Sequence, residues 1–118
     1  MLFPEFMYKR YGQDIRVDND ARITRPELVE LGNHIAIDMG VYISVTAKIG
    51  DYVHIAPHVC IIGGATATLI MEDFTNIGAG SKIVVISDDF TNGLINPLIP
   101  LEYKKLIGSQ IIMRRFSL

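Results

Sequence analysis

The stretch from Leu31 to Ile61, LGNHIAIDMGVYISVTAKIGDYVHIAPHVCI, decides the fold, because every sixth residue in it is a large aliphatic one. Four extra residues near Gly63-Gly64 interrupt this period, which then resumes. The full series is Leu31, Ile37, Ile43, Ile49, Ile55, Ile61, Met71, Ile77 and Ile83. A fainter upstream continuation consists of Val17, Ile23 and Val29. This regularity marks an internal repeat of six residues.

If each of these aliphatic residues is counted as the first place of a hexad, the fifth place is restricted independently of it. Its members are Ile35, Val41, Ala47, Val53, Val59, Ala65, Thr75, Ser81 and Ser87. A period of six fits neither an amphipathic helix nor a simple alternating strand. It does fit a short strand followed by a corner, and three such units close one triangular coil. Successive coils would stack about 4.8 Å apart through parallel strand pairing. The pattern therefore predicts an all-β fold, a parallel β-helix with an aliphatic interior.

The rest of the chain divides around these coils into one domain. Residues 1–12 have helical spacing of apolar side chains, with Pro4 suited to a first turn and Gly12 to a stop. We expect a short N-terminal helix there and β-helix coils over 13–87. Residues 88–106 break the pattern with Asn-Gly and Asn-Pro pairs and predict a long protruding loop. Residues 107–118 begin a further coil.

Composition excludes several classes of protein. The chain has 118 residues and a formal net charge of −2, which gives no basic surface for nucleic acid. The single cysteine, Cys60, cannot form an internal disulfide. No apolar run is long enough to insert into a membrane, and no signal peptide is recognisable. We expect a cytoplasmic protein.

Five segments resemble the hexapeptide-repeat acyltransferases, and more narrowly the sugar O- and N-acetyltransferases of bacterial surface-polysaccharide gene clusters. They are Leu31-Gly-Asn-His-Ile-Ala, Ile49-Gly-Asp-Tyr-Val-His-Ile-Ala, Ile61-Ile-Gly-Gly, Ile77-Gly-Ala-Gly-Ser-Lys, and Ser87-Asp-Asp-Phe-Thr-Asn-Gly with Ile99-Pro-Leu-Glu-Tyr. The resemblance implies a left-handed β-helix, a homotrimer with sites between subunits, and acetyl-CoA as acyl donor. The acceptor would be a hydroxyl or amine of a sugar or nucleotide-sugar. Family members continue for further coils, so this chain resembles a C-terminally shortened member.

Direct transfer from a thioester needs a general base, and histidine is suited to that role near neutral pH. His54 ends the hexad that begins at Ile49, so we expect its side chain to leave the coil at a corner. The resemblance implies that this histidine contacts donor or acceptor. His58 is the second candidate base, because Gly40 and Gly80 on adjacent coils would leave open space beside it. The alternative for His54 is a structural hydrogen bond between subunits, and the alternative for His58 is a solvated surface position.

Further candidates surround these histidines. Asp88 aligns with the position that carries a catalytic histidine in the maltose and galactoside branch of the family. Asp88, Asp89 and Asn92 in the loop would hold the acceptor, or only cap the turn. Asn76 should stack over His54 one coil later and could fix its tautomer. Backbone groups near four glycines could approach the donor: Gly63, Gly64, Gly78 and Gly80.

Two other functions remain open from the sequence. One is a non-catalytic β-helix scaffold that keeps the trimer but does not bind CoA. The other is a metal-dependent lyase of the carbonic-anhydrase type, a class that shares this fold. His54 and His58 would lie about 13 Å apart along an extended chain, too far for one zinc ion. We therefore expect no metal within a single chain.

Overall fold

The structure is a computed structural model that describes residues 4–86, 104–107 and 110–114. Its strands, numbered in chain order, form three parallel sheets. The first sheet contains β1 (Arg10–Tyr11), β4 (Val29–Leu31), β7 (Thr46–Ile49), β10 (Thr68–Met71) and β14 (Gln110–Met113). The second contains β2 (Ile15–Val17), β5 (Ile35–Ile37), β8 (Val53–Ile55) and β11 (Asn76–Ile77). The third contains β3 (Arg22–Ile23), β6 (Tyr42–Ile43), β9 (Cys60–Ile62), β12 (Lys82–Ile86) and β13 (Lys104–Ile107).

Each coil takes one strand from each sheet in turn, which makes the chain a parallel β-helix, consistent with the left-handed form that the resemblance implies. The nine aliphatic residues at the first place of the hexads are all buried, with exposed fractions between 0% and 7%. They lie above one another: Ile37 pairs with Ile55, and Ile55 pairs with Ile77. The interior column predicted from the six-residue period is confirmed. Fifth-place residues such as Val53 and Val59 face the same interior.

The length of a coil changes at two corners. Backbone-to-side-chain hydrogen bonds between adjacent coils join residues 20, 18 and 22 positions apart, which are Gln13–Asn33, Asn33–Asp51 and Asp51–Asp73. The increase in coil length from 18 to 22 residues is the insertion predicted near Gly63-Gly64. After this insertion, β10 pairs in register with β7.

The first change in coil length was not predicted, and it displaces Val29. A 3-10 turn at Pro26–Leu28 lengthens this corner by two residues. Val29 consequently pairs with Ala47 in the fifth-place column, and Leu31 takes the first place beneath Ile49. The upstream continuation is therefore correct for Val17 and Ile23 and wrong for Val29.

The ends of the chain differ in part from the predicted boundaries. The N-terminal helix is one 3-10 turn at Glu5–Met7, and Arg10–Tyr11 already form the first strand of the coils. Of the predicted loop, residues 88–103 lie outside the described residues. Strand β13 pairs with β12 from Lys104 onward, so the coil wall resumes before the predicted boundary at 107. Strand β14 then pairs with β10, in line with the further coil expected there.

The corner between the first and second sheets has a repeated local structure. Four residues on successive coils adopt positive φ: Asp14 at 56°, His34 at 57°, Tyr52 at 56° and Phe74 at 61°. A glycine lies two places before each of the first three, at Gly12, Gly32 and Gly50, and its lack of a side chain allows the corner to close. At Gly50, for example, a Cβ atom would collide with the Asp73 carboxylate that accepts the Asp51 N–H. The stacked corners thus depend on side-chain acceptors from the next coil.

Candidate active site

The outer face of the second sheet carries one side chain from each of four coils. Strand pairing places Arg16 beside Ala36, Ala36 beside His54, and His54 beside Asn76. The predicted stacking of Asn76 over His54 is confirmed. His54 lies in the middle of β8, with the buried Val53 and Ile55 on either side. Its side chain therefore leaves a flat face of the β-helix, and the corner position expected from the sequence is wrong.

A hydrogen bond orients the His54 ring. Its Nε2 lies 2.6 Å from Oδ2 of Asp38, and both side chains remain partly exposed. Asp38 follows Ala36 by two residues, so it faces the same side of the sheet one coil below His54. Ala36 is small and leaves room for the ring to lie across it. Among the described residues, no hydrogen bond joins Asn76 to His54, so Asp38 takes the orienting role expected of Asn76.

A second histidine–carboxylate pair lies at the adjoining corner. His34 Nδ1 is 2.7 Å from Asp14 Oδ2. The His34 ring stacks on Tyr52 with centroids 4.6 Å apart, and Tyr52 stacks on Phe74 at 5.0 Å. Sequence reasoning ranked His34 behind His54 and His58 as a base, because its position near the first coils lies far from the predicted loop. The structure brings it to the same surface as His54.

A shallow cleft of about 330 Å³ connects the two histidines. Ala36 and main chain of β5 and β8 form its floor, and Arg16 bounds its lower end. The cleft combines the two imidazoles with the guanidinium of Arg16 and the carboxylate of Asp14. The small side chain of Ala36 is what opens this space on an otherwise continuous sheet face.

His58 lies at the corner between the second and third sheets and has a different environment. It has a positive φ of 62°, and its ring lies directly against Gly40 on the coil below. Gly80 occupies the corresponding corner above, where an added Cβ atom would meet no atom within 4 Å. The two glycines are placed as the sequence indicated. Open space is present only on the Gly80 side.

The four candidate glycines have unequal surroundings. The Gly63 N–H donates to Ser44 Oγ at 3.0 Å, and a Cβ atom there would collide with Val45. The Gly80 N–H donates to the Pro57 carbonyl. Neither group is free to bind an oxyanion. Gly64 is buried, whereas Gly78 is exposed.

The remaining predicted site residues, Asp88, Asp89 and Asn92, lie outside the described residues. Within the part of the chain that the structure describes, no group of three His, Cys, Asp or Glu side chains could hold a metal ion. Burial raises the pKa of the Cys60 thiol, against an opposing effect of Lys82. The raised pKa disfavours the reactive thiolate.

Asp38 is the site residue that sequence reasoning missed. The signal was nevertheless present, because Leu31 and Ile49 mark one full coil and thereby place residue 36 beneath residue 54. Asp38, two places after Ala36, then becomes the diagonal neighbour of His54. The pairing of Asp14 with His34 needed the coil-length change at Pro26–Leu28, which the hexads alone did not reveal.

No helix in the described part of the chain is long and apolar enough to cross a membrane. No protein-family model matches the sequence. The chain is 27% identical over 119 residues to the dTDP-4-amino-4,6-dideoxy-D-glucose acyltransferase of Escherichia coli. That match covers 92% of this chain and 61% of the enzyme, so the chain spans about three fifths of its length.

Solved structures of AntD, an N-acyltransferase from Bacillus cereus, share the fold. The complex with dTDP and 3-hydroxybutyryl-CoA superposes with a TM-score of 0.63 at 31% identity, covering 92% of this chain and 61% of AntD. A variant with dTDP-4-amino-4,6-dideoxyglucose and coenzyme A gives a TM-score of 0.64 at 28% identity, covering 92% and 66%. The resemblance drawn from the repeats is thereby confirmed: in sequence and in fold, this chain is similar to sugar acyltransferases.

Proposed function

We propose that this protein is an acyltransferase that moves an acyl group, acetyl by preference, from acyl-CoA to an amine or hydroxyl of a nucleotide-sugar. The likeness to AntD carries the proposal, because structures of that enzyme hold coenzyme A together with dTDP or a dTDP-linked aminosugar. The likeness extends over more than nine tenths of this chain. Acyl transfer would take place on the outer face of the second sheet, as part of a homotrimer.

His54 is the general base in this proposal. An amine or hydroxyl acceptor must lose a proton as its nitrogen or oxygen attacks the thioester carbonyl. His54 accepts that proton while the new bond to the acyl carbon forms and the carbon–sulfur bond breaks, and the proton then passes to the departing CoA sulfur. The imidazole suits this step because it is exposed, oriented by Asp38 and directed along an open cleft.

In the same proposal, other residues bind the acceptor and the acyl donor. Asn76, one coil above His54, has an exposed amide that can donate to the acceptor or accept from it. Asp88, Asp89 and Asn92 come after β12 in the sequence and stay predictions for acceptor binding, with Asp88 also a candidate catalytic group. Gly64 and Gly78 stay predictions for donor contacts. His58 is the second choice of base, because its ring lies against Gly40 at the corner between the second and third sheets, outside the cleft that His54 lines.

The test is turnover by the purified protein with acetyl-CoA and dTDP-4-amino-4,6-dideoxyglucose, with acylated product followed by mass spectrometry. Parallel reactions use 3-hydroxybutyryl-CoA as donor and a free aminosugar as acceptor. We expect product from the nucleotide-linked acceptor and its loss in His54→Ala. Product formation undiminished in His54→Ala would contradict the assigned base.

Two further measurements separate the competing functions. Calorimetric titration with acetyl-CoA that shows no binding, together with no turnover, would favour the non-catalytic scaffold. Carbon dioxide hydration that is lost with EDTA, with zinc present in the protein, would favour the lyase. Light scattering checks the proposed trimer, which should persist in His54→Ala because that side chain lies outside the packed interior.

A further inference from the structure

We propose that Asp38 is a positioning residue that holds His54 as its Nε2–H tautomer, so that Nδ1 is the nitrogen that accepts the proton from the acceptor. The inference rests on the proposed function, in which His54 is the base. It adds which ring nitrogen reacts and which residue determines that choice.

The backbone fixes the Asp38 carboxylate beneath His54. The Asp38 N–H donates to the carbonyl of Ile55 at 3.0 Å, which ties Asp38 to the strand that carries the histidine. Its Oδ2 then reaches Nε2 at 2.6 Å across the small Ala36. Both partners are anchored in adjacent coils, so the ring can keep this direction without a bound substrate.

The chemistry of the two groups settles the tautomer. An ionised carboxylate only accepts hydrogen bonds, so the nitrogen that faces it must carry the proton. A neutral imidazole has one N–H and one lone pair, which leaves the lone pair on Nδ1. Nδ1 is bonded closer to the main chain than Nε2, so the base would act close to the floor of the cleft.

His34 shows the opposite arrangement in the same cleft. Its Nδ1 faces Asp14, which leaves the lone pair on Nε2. The other charged group that lines the cleft near His54 is Arg16, two coils below. The two histidines therefore present different nitrogens, and removing Asp14 is a matched control for removing Asp38.

The first experiment measures the tautomers directly, without relying on catalysis. Ring nitrogen-15 NMR spectra of the full chain are recorded for the wild type, Asp38→Ala and Asp14→Ala, at a pH where the imidazoles are neutral. We expect His54 to be protonated at Nε2 in the wild type and in Asp14→Ala, and to become a mixture in Asp38→Ala. Protonation of His54 at Nδ1 in the wild type would overturn the assignment.

The second experiment measures kcat and KM separately for the same variants. We expect Asp38→Ala to lower kcat roughly 10- to 100-fold, with a smaller change in KM for acyl-CoA, because the base is misoriented but still present. Asp38→Glu should recover part of the loss, since it restores the carboxylate. Asp14→Ala should cause a much smaller loss. Equal losses in Asp38→Ala and Asp14→Ala would refute a specific role for Asp38.

The two experiments distinguish the possible failures. If His54 is held by Asp38 as expected but His54→Ala turns over normally, the proposed base is wrong while the tautomer assignment stands. If turnover depends on His54 but its tautomer does not respond to Asp38→Ala, the base stands and the positioning role fails. Thermal unfolding of each variant confirms that the compared proteins are folded.

Discussion

The two histidine–aspartate pairs of this β-helix contain the same groups at similar distances, yet their surroundings differ. His34 and Asp14 occupy a corner, where both residues have positive φ and the imidazole is stacked on Tyr52. His54 and Asp38 belong to the flat second sheet, where His54 lies across Ala36. At the corner, ring stacking along the β-helix axis uses the imidazole for packing. On the face, the imidazole of His54 is about as exposed as that of His34, 48% against 43%, but within the described residues it stacks on no other ring.

The largest predicted change in stability comes from a comparison of the buried and exposed sides of β8, the strand that carries His54. Ile55 is fully buried, so Ile55→Asp places an unpaired charge in the interior. We expect a loss of more than about 4 kcal/mol in the free energy of unfolding, together with loss of any trimer. His54→Ala, one residue away on the outer face, is the control and should remain folded. Chemical denaturation with light scattering measures both, and the reverse order would contradict the fold.

The next prediction tests whether His54 and His34 have different roles. His54→Ala should lower kcat about 10²- to 10⁴-fold, the usual contribution of a general base. His34→Ala should affect stability more than kcat, because its ring is part of the stack with Tyr52. Steady-state kinetics and thermal unfolding of both variants provide the test. A larger loss of kcat in His34→Ala would reverse the roles of face and corner.

The ring stack at the corner can be weakened without a substitution in either histidine–aspartate pair. Tyr52 contacts His34 on one side and Phe74 on the other, so Tyr52→Ala removes two ring contacts. We expect a loss of about 1–3 kcal/mol in the free energy of unfolding. Tyr52→Phe retains both rings and should stay near the wild type. Equal stability of the Ala and Phe variants would show that the stack contributes nothing.

A smaller effect compares the corners at Gly40 and Gly80. Both glycines have positive φ, 69° and 74°, so an alanine at either position costs about 1–2 kcal/mol. Only at Gly40 would the new methyl group also displace the ring of His58. Gly40→Ala should therefore be the less stable variant in urea unfolding. If Gly80→Ala is equally destabilised, the contact between His58 and Gly40 is not significant.

The smallest effect concerns the third sheet. Burial raises the pKa of the Cys60 thiol, so it stays protonated at neutral pH and reacts slowly. We expect Cys60→Ser to keep the wild-type kcat, and the rate of Cys60 alkylation to go on rising at pH values above the ordinary thiol pKa, where an unperturbed thiol has levelled off. Rapid alkylation at neutral pH, or loss of turnover in Cys60→Ser, would place chemistry on the third sheet instead of the second.

The interior of the β-helix could be predicted from the sequence because a six-residue period constrains every coil in the same way. An inward side chain at Ile37 requires others above and below it, so the column and the stacking of Asn76 over His54 followed together. The 3-10 turn at Pro26–Leu28 escaped prediction, since the weak upstream repeat remains six residues long through Val29. Coil length is fixed there by local turn chemistry that the aliphatic period does not record.

The candidate site was predictable only in part. The sequence indicated His54, but it placed the side chain at a corner and assigned its orientation to Asn76. Side-chain direction depends on where each strand begins within the hexad, and β8 begins at Val53, which puts His54 at its centre. The hydrogen bond between His54 and Asp38 also requires the space that the small Ala36 side chain leaves for the ring. Such a diagonal contact follows from the register between coils and not from any one hexad.

The most direct measurement is a crystal structure of the protein with coenzyme A and the dTDP-linked aminosugar bound together. The proposed function predicts that the acceptor nitrogen lies about 2.6–3.2 Å from Nδ1 of His54, on the outer face of the second sheet. It also predicts that Asp38 still contacts Nε2. An acceptor bound beside His58, or on the third sheet and out of reach of His54, would contradict the account.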